Sequence, residues 1–290
     1  MHIIWYYNMN CCIKKGDAAM ADERAIGIFD SGLGGLTVAR EIMKKLPKEN
    51  IVYFGDTGRV PYGTRSTETI IKYTRQDERF LLSQDVKLIV AACGTVSSVA
   101  ADTAKELPVP FIEVVSHSVN AALKATKNKK IGILATAATI NSGSHKKRIL
   151  EKMPDALVVE NSGTLLVPLV EEGWYSEDDP VVRETVRRYV EPMMDAGVDT
   201  LILGCTHFPV LSRTVSAVMG DAVTLINMGT AAAEAVVSCL EKSGGFAERE
   251  TSTNRFFVSD KTASFTRTAS VLLGEEINES TVETVDINGV

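Results

Sequence analysis

Cys93 and Cys205 each close an apolar run and are followed closely by threonine: "LIVAACGTVSSVAA" spans Leu88 to Ala101, and "TLILGCTHFPVL" spans Thr200 to Leu211. One buried cysteine is ordinarily inert packing. Two at matching places, each beside a hydroxyl, suggest chemistry. A metal site wants more ligands than His207, the one histidine close by in sequence. A redox disulfide requires the two sulfurs to touch, which closes any cleft between them. The third reading is a pair of acid/base groups on opposite faces of one bound carbon. In a racemisation one thiolate takes the Cα proton from one face, and the other cysteine, as a thiol, protonates the opposite face. A free thiol pKa of about 8.5 lies close enough to neutrality to be tuned either way, and no cofactor is then obligatory. Charge developing at the substrate carboxylate needs preorganised donors. Ser31, Thr95, Thr136, Thr139 and Thr206 are candidates.

These residues need a frame to bring them together. Short runs rich in Val, Ile and Leu alternate with amphipathic stretches along the chain. The expected strands are "AIGIFD", "NIVYFGD", "VKLIVAA", "PFIEVV", "KIGILAT", "ALVVEN", "DTLILGC" and "VTLIN"; "LTVAREIMKKL", "STETIIKYTRQDERFLLSQ" and "DPVVRETVRRYVEPMMDAG" read as helices. Continuous apolar strands, each followed by a helix, indicate an α/β fold with parallel sheets covered on both faces. A weak repeat adds a second level. "IGIFDSG" from Ile26 is echoed by "IGILATA" from Ile131, and the two cysteine runs stand at corresponding places in the two copies. Two similar α/β units are therefore expected: residues 25–117 plus 227–290, and residues 118–226. Ligands bind beyond the carboxyl ends of parallel strands. Both cysteines, with Asp30, Ser31, Thr136 and Thr139, sit at such ends, so two units facing each other would place one thiol on each side of a shared cleft.

The whole chain narrows the function classes. It has 290 residues, 45% of them hydrophobic, and a formal net charge of −6. That length supports one large domain or two ordinary ones. A mildly acidic chain lacks the basic stripe that nucleic-acid binding needs, and no apolar run reaches the ~18–20 residues of a membrane span. In residues 1–24 the order of a secretory leader is reversed, because Lys14 and Lys15 follow the apolar part. That stretch is expected to be an extension outside the fold, and the protein to be cytoplasmic. The five cysteines (Cys11, Cys12, Cys93, Cys205, Cys239) show neither a disulfide framework nor a zinc spacing, so no metal is expected. Cys239 reads as packing, and His117 and His145 as surface or loop residues.

With these residues in view, "GIFDSGLGGLTV", "YFGDTGRVPYG", "AACGTVSS" and "LILGCTHFP" together resemble the glutamate racemases of the cofactor-independent aspartate/glutamate racemase superfamily. The resemblance runs from about Ala25 to Ala235. It implies two α/β domains with the active site between them, interconversion of L- and D-glutamate for peptidoglycan, no cofactor, and a homodimer. Position by position it implies that Cys93 works on D-glutamate with help from Asp30, and Cys205 on L-glutamate with help from His207. Ser31, Tyr62, Gly63, Gly94, Thr95, Thr136, Thr139 and Thr206 fall on substrate-binding positions, as Asp30 and His207 also do. Glu171 matches an acidic position near the cleft.

There are departures. The family commonly reads Ala-Cys-Asn-Thr where this chain has Gly94, so Gly94→Asn is expected to add a substrate contact and lower KM. "NSGTLLVPLVE" stands where a Cys-Pro pair is more usual, and the chain after Ala235 carries little family signal. Competing readings are a racemase of an aspartate-like substrate and a non-catalytic member of the fold. A nicotinamide enzyme is a further one, since "DSGLGG" with Asp56 some twenty residues on imitates a dinucleotide fingerprint. The glycine spacing departs from that fingerprint, and Asp30 would face the pyrophosphate. Asp56 reads otherwise as a loop-ordering residue.

Overall fold

Backbone groups of a strand buried on both faces must pair with neighbouring strands, and apolar runs bring this about. In the computed structural model, which describes residues 21–261 and 265–289, all eight expected strands form. They are β1 (Ala25–Asp30), β2 (Ile51–Gly55), β3 (Val86–Ala91), β4 (Phe111–Glu113), β5 (Lys130–Ala135), β6 (Leu157–Ser162), β7 (Thr200–Gly204) and β8 (Thr224–Asn227). Two short strands join them, β9 (Arg255–Val258) and β10 (Val282–Thr284). Every pairing is parallel. The first sheet runs β10-β9-β2-β1-β3-β4 and the second β6-β5-β7-β8. Without β9 and β10 the two orders are the same, with the opening strand of each unit between its second and third. The sequence repeat is thus a repeat of topology.

The helices begin and end where local chemistry sets them. The helix Pro180–Ala196 has Asp179 as N-cap, accepting from the Val181 and Val182 N–H groups, and Pro180 in its first turn. It stops at Gly197 in the left-handed region, and Val182, Val186, Val190 and Met193 bury one face. The helix Val114–Ala125 leads from β4 into the second unit and is capped by the Glu113 carboxylate. The expected boundary after residue 117 falls inside this helix. One apolar cluster runs through it, from Ile28 and Ile42 by way of Val119 and Val236 to Ile133 and Leu201, so the units share a core. No described helix is long and apolar enough to cross a membrane.

Two expectations need correcting. His145 is not a surface residue: it is 1% exposed, on the helix Ser144–Lys152, and burial pushes its pKa down to about 4. Its spacing of four from buried Ile149 gives the reason. His117 is half-buried on the helix Val114–Ala125 rather than in a loop. Of the expected extension, residues 1–20 lie outside the described residues, but 22–24 bond to the first unit. Lys87 Nζ donates to the Asp22 carbonyl at 2.7 Å, and Arg249 Nε to Glu23 Oε2 at 2.8 Å.

Lys87 also ties down the far end of the first sheet. Its ammonium lies 2.6 Å from Glu49 Oε2, with both side chains 2% exposed, and donates to the Gly245 carbonyl at 2.7 Å. Removing one partner of such a pair strands the other charge. Lys87→Met should therefore lower unfolding free energy by about 3–5 kcal/mol in urea melts, with partial recovery in Lys87→Met/Glu49→Gln. A loss below ~1 kcal/mol would show that the pair does not hold this end.

Candidate active site

Parallel sheets deliver their strand ends to one edge, and the candidate residues sit there. Asp30 is the last residue of β1. Cys93 follows β3 and caps the helix Gly94–Val99; Thr136 follows β5 and caps the helix Ala137–Ser142, where its Oγ1 accepts from Thr139 N–H at 3.4 Å. Cys205 follows directly on Gly204, the end of β7.

The two edges meet through atoms that are missing. A Cβ on Gly34, in the loop after β1, would lie 2.6 Å from His207 Nδ1 and closer still to Thr206 Oγ1. A Cβ on Gly94 would lie 2.8 Å from the Gly204 carbonyl oxygen. In this packing neither position has room for a Cβ unless its neighbour shifts. Thr37 Oγ1 then donates across the units to the Thr206 carbonyl at 2.8 Å, and the hydroxyls of Thr95 and Thr136 come within 3.5 Å. Because Gly94 adjoins Cys93 and Gly204 adjoins Cys205, this contact sets the two thiols on either side of the join. It also overturns the expectation for Gly94→Asn, since an asparagine Cβ has no room without moving the Gly204 backbone.

The two thiols have different company. Cys93 is 5% exposed, and its Sγ donates to Ser31 Oγ at 3.3 Å. Burial first, and the Asp30 charge second, push its pKa up to about 12. Burial also raises Asp30, against the opposing pull of His207 and of the Gly35, Gly32 and Ser31 N–H groups. Asp30 Oδ2 accepts from Gly32 N–H at 3.0 Å, while its buried Oδ1 has no partner among the described residues. Cys205 is 6% exposed, with His207 Nδ1 at 3.9 Å from its Sγ. The other ring nitrogen of His207 lies 3.1 Å from Glu171 Oε1. Burial works to lower the imidazole pKa, but Cys205 and Glu171 outweigh it and bring it up to about 10. Glu171, half exposed at the rim, accepts at its backbone carbonyl from Thr268 Oγ1 at 3.4 Å.

Asp30, Ser31, Cys93, Gly94, Thr95, Thr136, Thr139, Cys205, Thr206, His207 and Glu171 thus converge. Gly63 joins them, since a Cβ there would touch Ala138 Cβ at 3.6 Å and Thr95 Oγ1 at 4.0 Å. Tyr62 is placed differently. Its ring is buried and its hydroxyl bonds to Asp56 and Asp77, which leaves its backbone as the part beside the join. Asp56 orders this loop, as expected. Sequence reasoning missed Gly34, Thr37, Gly204 and Thr268. The signal for Gly34 was present in "DSGLGG", whose glycines serve close approach and whose N–H groups serve Asp30 rather than a pyrophosphate. Among the described residues no group of three or more His, Cys, Asp or Glu is placed to hold a metal ion. A surface groove of about 670 Å³ beside the helix Pro180–Ala196, lined by Asn161, Leu165, Val181 and Tyr189, shares no residue with this cleft.

The Asp/Glu/Hydantoin racemase family matches residues 36–236. A glutamate racemase of Neisseria meningitidis serogroup A is 42% identical over 260 residues, which is 89% of this chain and 95% of that protein. The solved structure of a glutamate racemase from Bacillus anthracis superposes with a TM-score of 0.85 at 35% identity, covering 91% of this chain and 98% of the other. That of the Francisella tularensis glutamate racemase in complex with D-glutamate gives 0.85 at 34% identity, over 93% and 100%.

The join between the units can be probed by a single methyl group. Gly94→Ala should cost about 1–3 kcal/mol of stability, as overpacking does, and should lower turnover with it. Gly63→Ala, whose Cβ makes only ordinary contacts, should melt like the parent. Equal stability of the Gly94 variant in thermal melts would show that the units are not in contact there.

Proposed function

The chain belongs to the Asp/Glu/Hydantoin racemase family, and on that premise we propose that it interconverts L- and D-glutamate by proton transfer at Cα between Cys205 and Cys93, without a cofactor. The observation that carries this reading is the pair of buried thiols at corresponding strand ends of two like units, each with its own assisting groups.

The chemistry follows from the two environments. From L-glutamate, Cys205 as thiolate removes the Cα proton, with the His207 imidazolium beside its sulfur and Glu171 behind the imidazole. The electron pair left on Cα spreads into the carboxylate, where hydroxyl and N–H donors around Thr95, Thr136, Thr139 and Thr206 meet the developing charge. Cys93, a thiol at neutral pH because burial and Asp30 hold its proton on, gives that proton to the opposite face. The products are D-glutamate, a Cys93 thiolate and a Cys205 thiol. The reverse direction exchanges the roles, with Asp30 the neighbouring group that can relay the Cys93 proton. Its unpartnered Oδ1 is suited to the substrate ammonium. Since the enantiomers have equal free energy, kcat/KM must be the same in both directions, and the unequal thiols can show only in kcat and KM separately. The same resemblance supports D-glutamate supply for peptidoglycan, a cytoplasmic location and a homodimer as parts of this proposal.

A polarimetric or circular-dichroism assay with L-glutamate, D-glutamate and L-aspartate tests the reading. Turnover is expected on both glutamate enantiomers, should survive dialysis against a chelator, and should fall by about 10²–10⁴-fold or more in folded Cys93→Ala and Cys205→Ala. Preference for aspartate would move the assignment within the family. Two-way turnover in either alanine variant would remove the two-thiol mechanism.

A further inference from the structure

Behind the cleft lies a buried cluster that the mechanism does not use. Asp56 sits just after β2, and its N–H donates to the carbonyl of Asp30 at 3.0 Å. Its carboxylate and that of Asp77, on the helix Thr67–Ser83, are both fully buried. Arg59 spans them. Nε donates to Asp56 Oδ2 at 2.6 Å, Nη2 to Asp77 Oδ1 at 3.0 Å, and Nη1 to Gln76 Oε1 at 2.7 Å. Ser259, just beyond β9, donates its hydroxyl to Asp56 Oδ1 at 2.8 Å. Between the carboxylates stands the Tyr62 hydroxyl, hydrogen-bonded to Asp56 Oδ2 and 3.0 Å from Asp77 Oδ2.

Counting protons decides the state of this cluster. The tyrosine hydroxyl carries one hydrogen but faces two carboxylate oxygens. If both carboxylates were ionised, one buried oxygen pair would meet with no hydrogen between its members, a costly arrangement away from water. Asp56 already has Arg59 and Ser259 as donors, and with Tyr62 three, so it is the one to stay ionised. Among the described residues, Asp77 receives a cationic donor only from Arg59 Nη2. We propose that Asp77 is a neutral carboxylic acid that donates through Oδ2 to Tyr62, which donates to Asp56, and that this one-proton relay locks the Tyr62–Gly63 backbone beside the cleft. Asp77 is then a positioning residue for the substrate-binding loop, and this part rests on the function proposed above.

The groups facing Asp77 pull both ways, and those that hold its proton on prevail. Burial raises its pKa first, and Asp56 and Glu78 raise it further, while Arg59 and the hydrogen bond with Tyr62 work to lower it. Tyr62 is pushed up as well, chiefly by burial, and keeps its proton.

The pH dependence of a stability difference tests this without substrate. If Asp77 is protonated when folded and ionised when unfolded, unfolding above pH ~4 releases one proton. The unfolding constant of the parent should then rise about tenfold more per pH unit than that of Asp77→Asn until the folded pKa is reached. The asparagine amide keeps the donation to Tyr62. In urea melts from pH 5 to 8 Asp77→Asn should therefore gain on the parent as pH rises. An Asp77 ionised in both states exchanges no proton between pH 5 and 8, so it predicts a constant difference between Asp77→Asn and the parent across that range, and that result overturns the proposal. If Asp77→Asn does not fold, infrared spectra of the parent at pH 7 still decide: a protonated-carboxyl C=O band assigned by aspartate labelling supports the relay, and its absence refutes it. In a glutamate assay Asp77→Ala should raise KM more than it lowers kcat, with Asp77→Asn restoring KM. If glutamate is not turned over at all, the function fails while the stability arm still judges the proton.

Discussion

Two missing Cβ atoms hold the site together. Gly34 lets the loop after β1 lie against Thr206 and His207, and Gly94 lets the turn after β3 lie against the Gly204 carbonyl. Through these approaches the carboxyl edges of the two sheets lie against each other, with one thiol following a strand on each side. With them, one hydrogen bond from Thr37 to the Thr206 carbonyl and a shared apolar core fix the relation of the units. The glycines thus turn a duplicated fold into a single cleft.

What the cleft contains is unequal by construction. The first unit gives Cys93 a buried carboxylate neighbour, and the second gives Cys205 an imidazole held between sulfur and carboxylate. A neighbouring negative charge keeps a proton on sulfur, whereas a neighbouring positive charge favours taking it off. Cys93 thus sits beside a group that holds its proton on and Cys205 beside an imidazole, although the strands that carry them are equivalent. The segment after residue 235 supports both sides. β9 leads to Ser259, which bonds to Asp56 behind Asp30, and the helix Phe265–Leu273 brings Thr268 to the Glu171 backbone. A stretch with little family signal therefore steadies the loops that surround the reacting groups.

Much of this was legible in the sequence. Apolar runs marked β1 to β8 because a parallel strand buried on both faces must be apolar throughout, and the repeat marked the pairing of the units. The positions of Cys93, Cys205, Asp30 and His207 followed from strand ends and neighbouring polar residues. β9 and β10 escaped because strands of four and three residues at a sheet edge leave almost no pattern. The close approaches escaped because a glycine in a loop reads as a turn, and only the partner across the fold shows that a side chain is excluded. Gly94 looked like a lost substrate contact for that reason. Tyr62 looked like a ligand because its motif gives no hint that Asp77, on the next helix, claims its hydroxyl.

The central claim is that one thiol addresses each face of the same carbon, and single-cysteine enzymes in deuterated water test it most directly. In Cys93→Ala the remaining Cys205 should exchange the Cα hydrogen of L-glutamate for deuterium with retention of configuration, and leave D-glutamate untouched. In Cys205→Ala the preference should invert. Exchange of both enantiomers by one variant, or of the same enantiomer by both, would contradict two thiols on opposite faces.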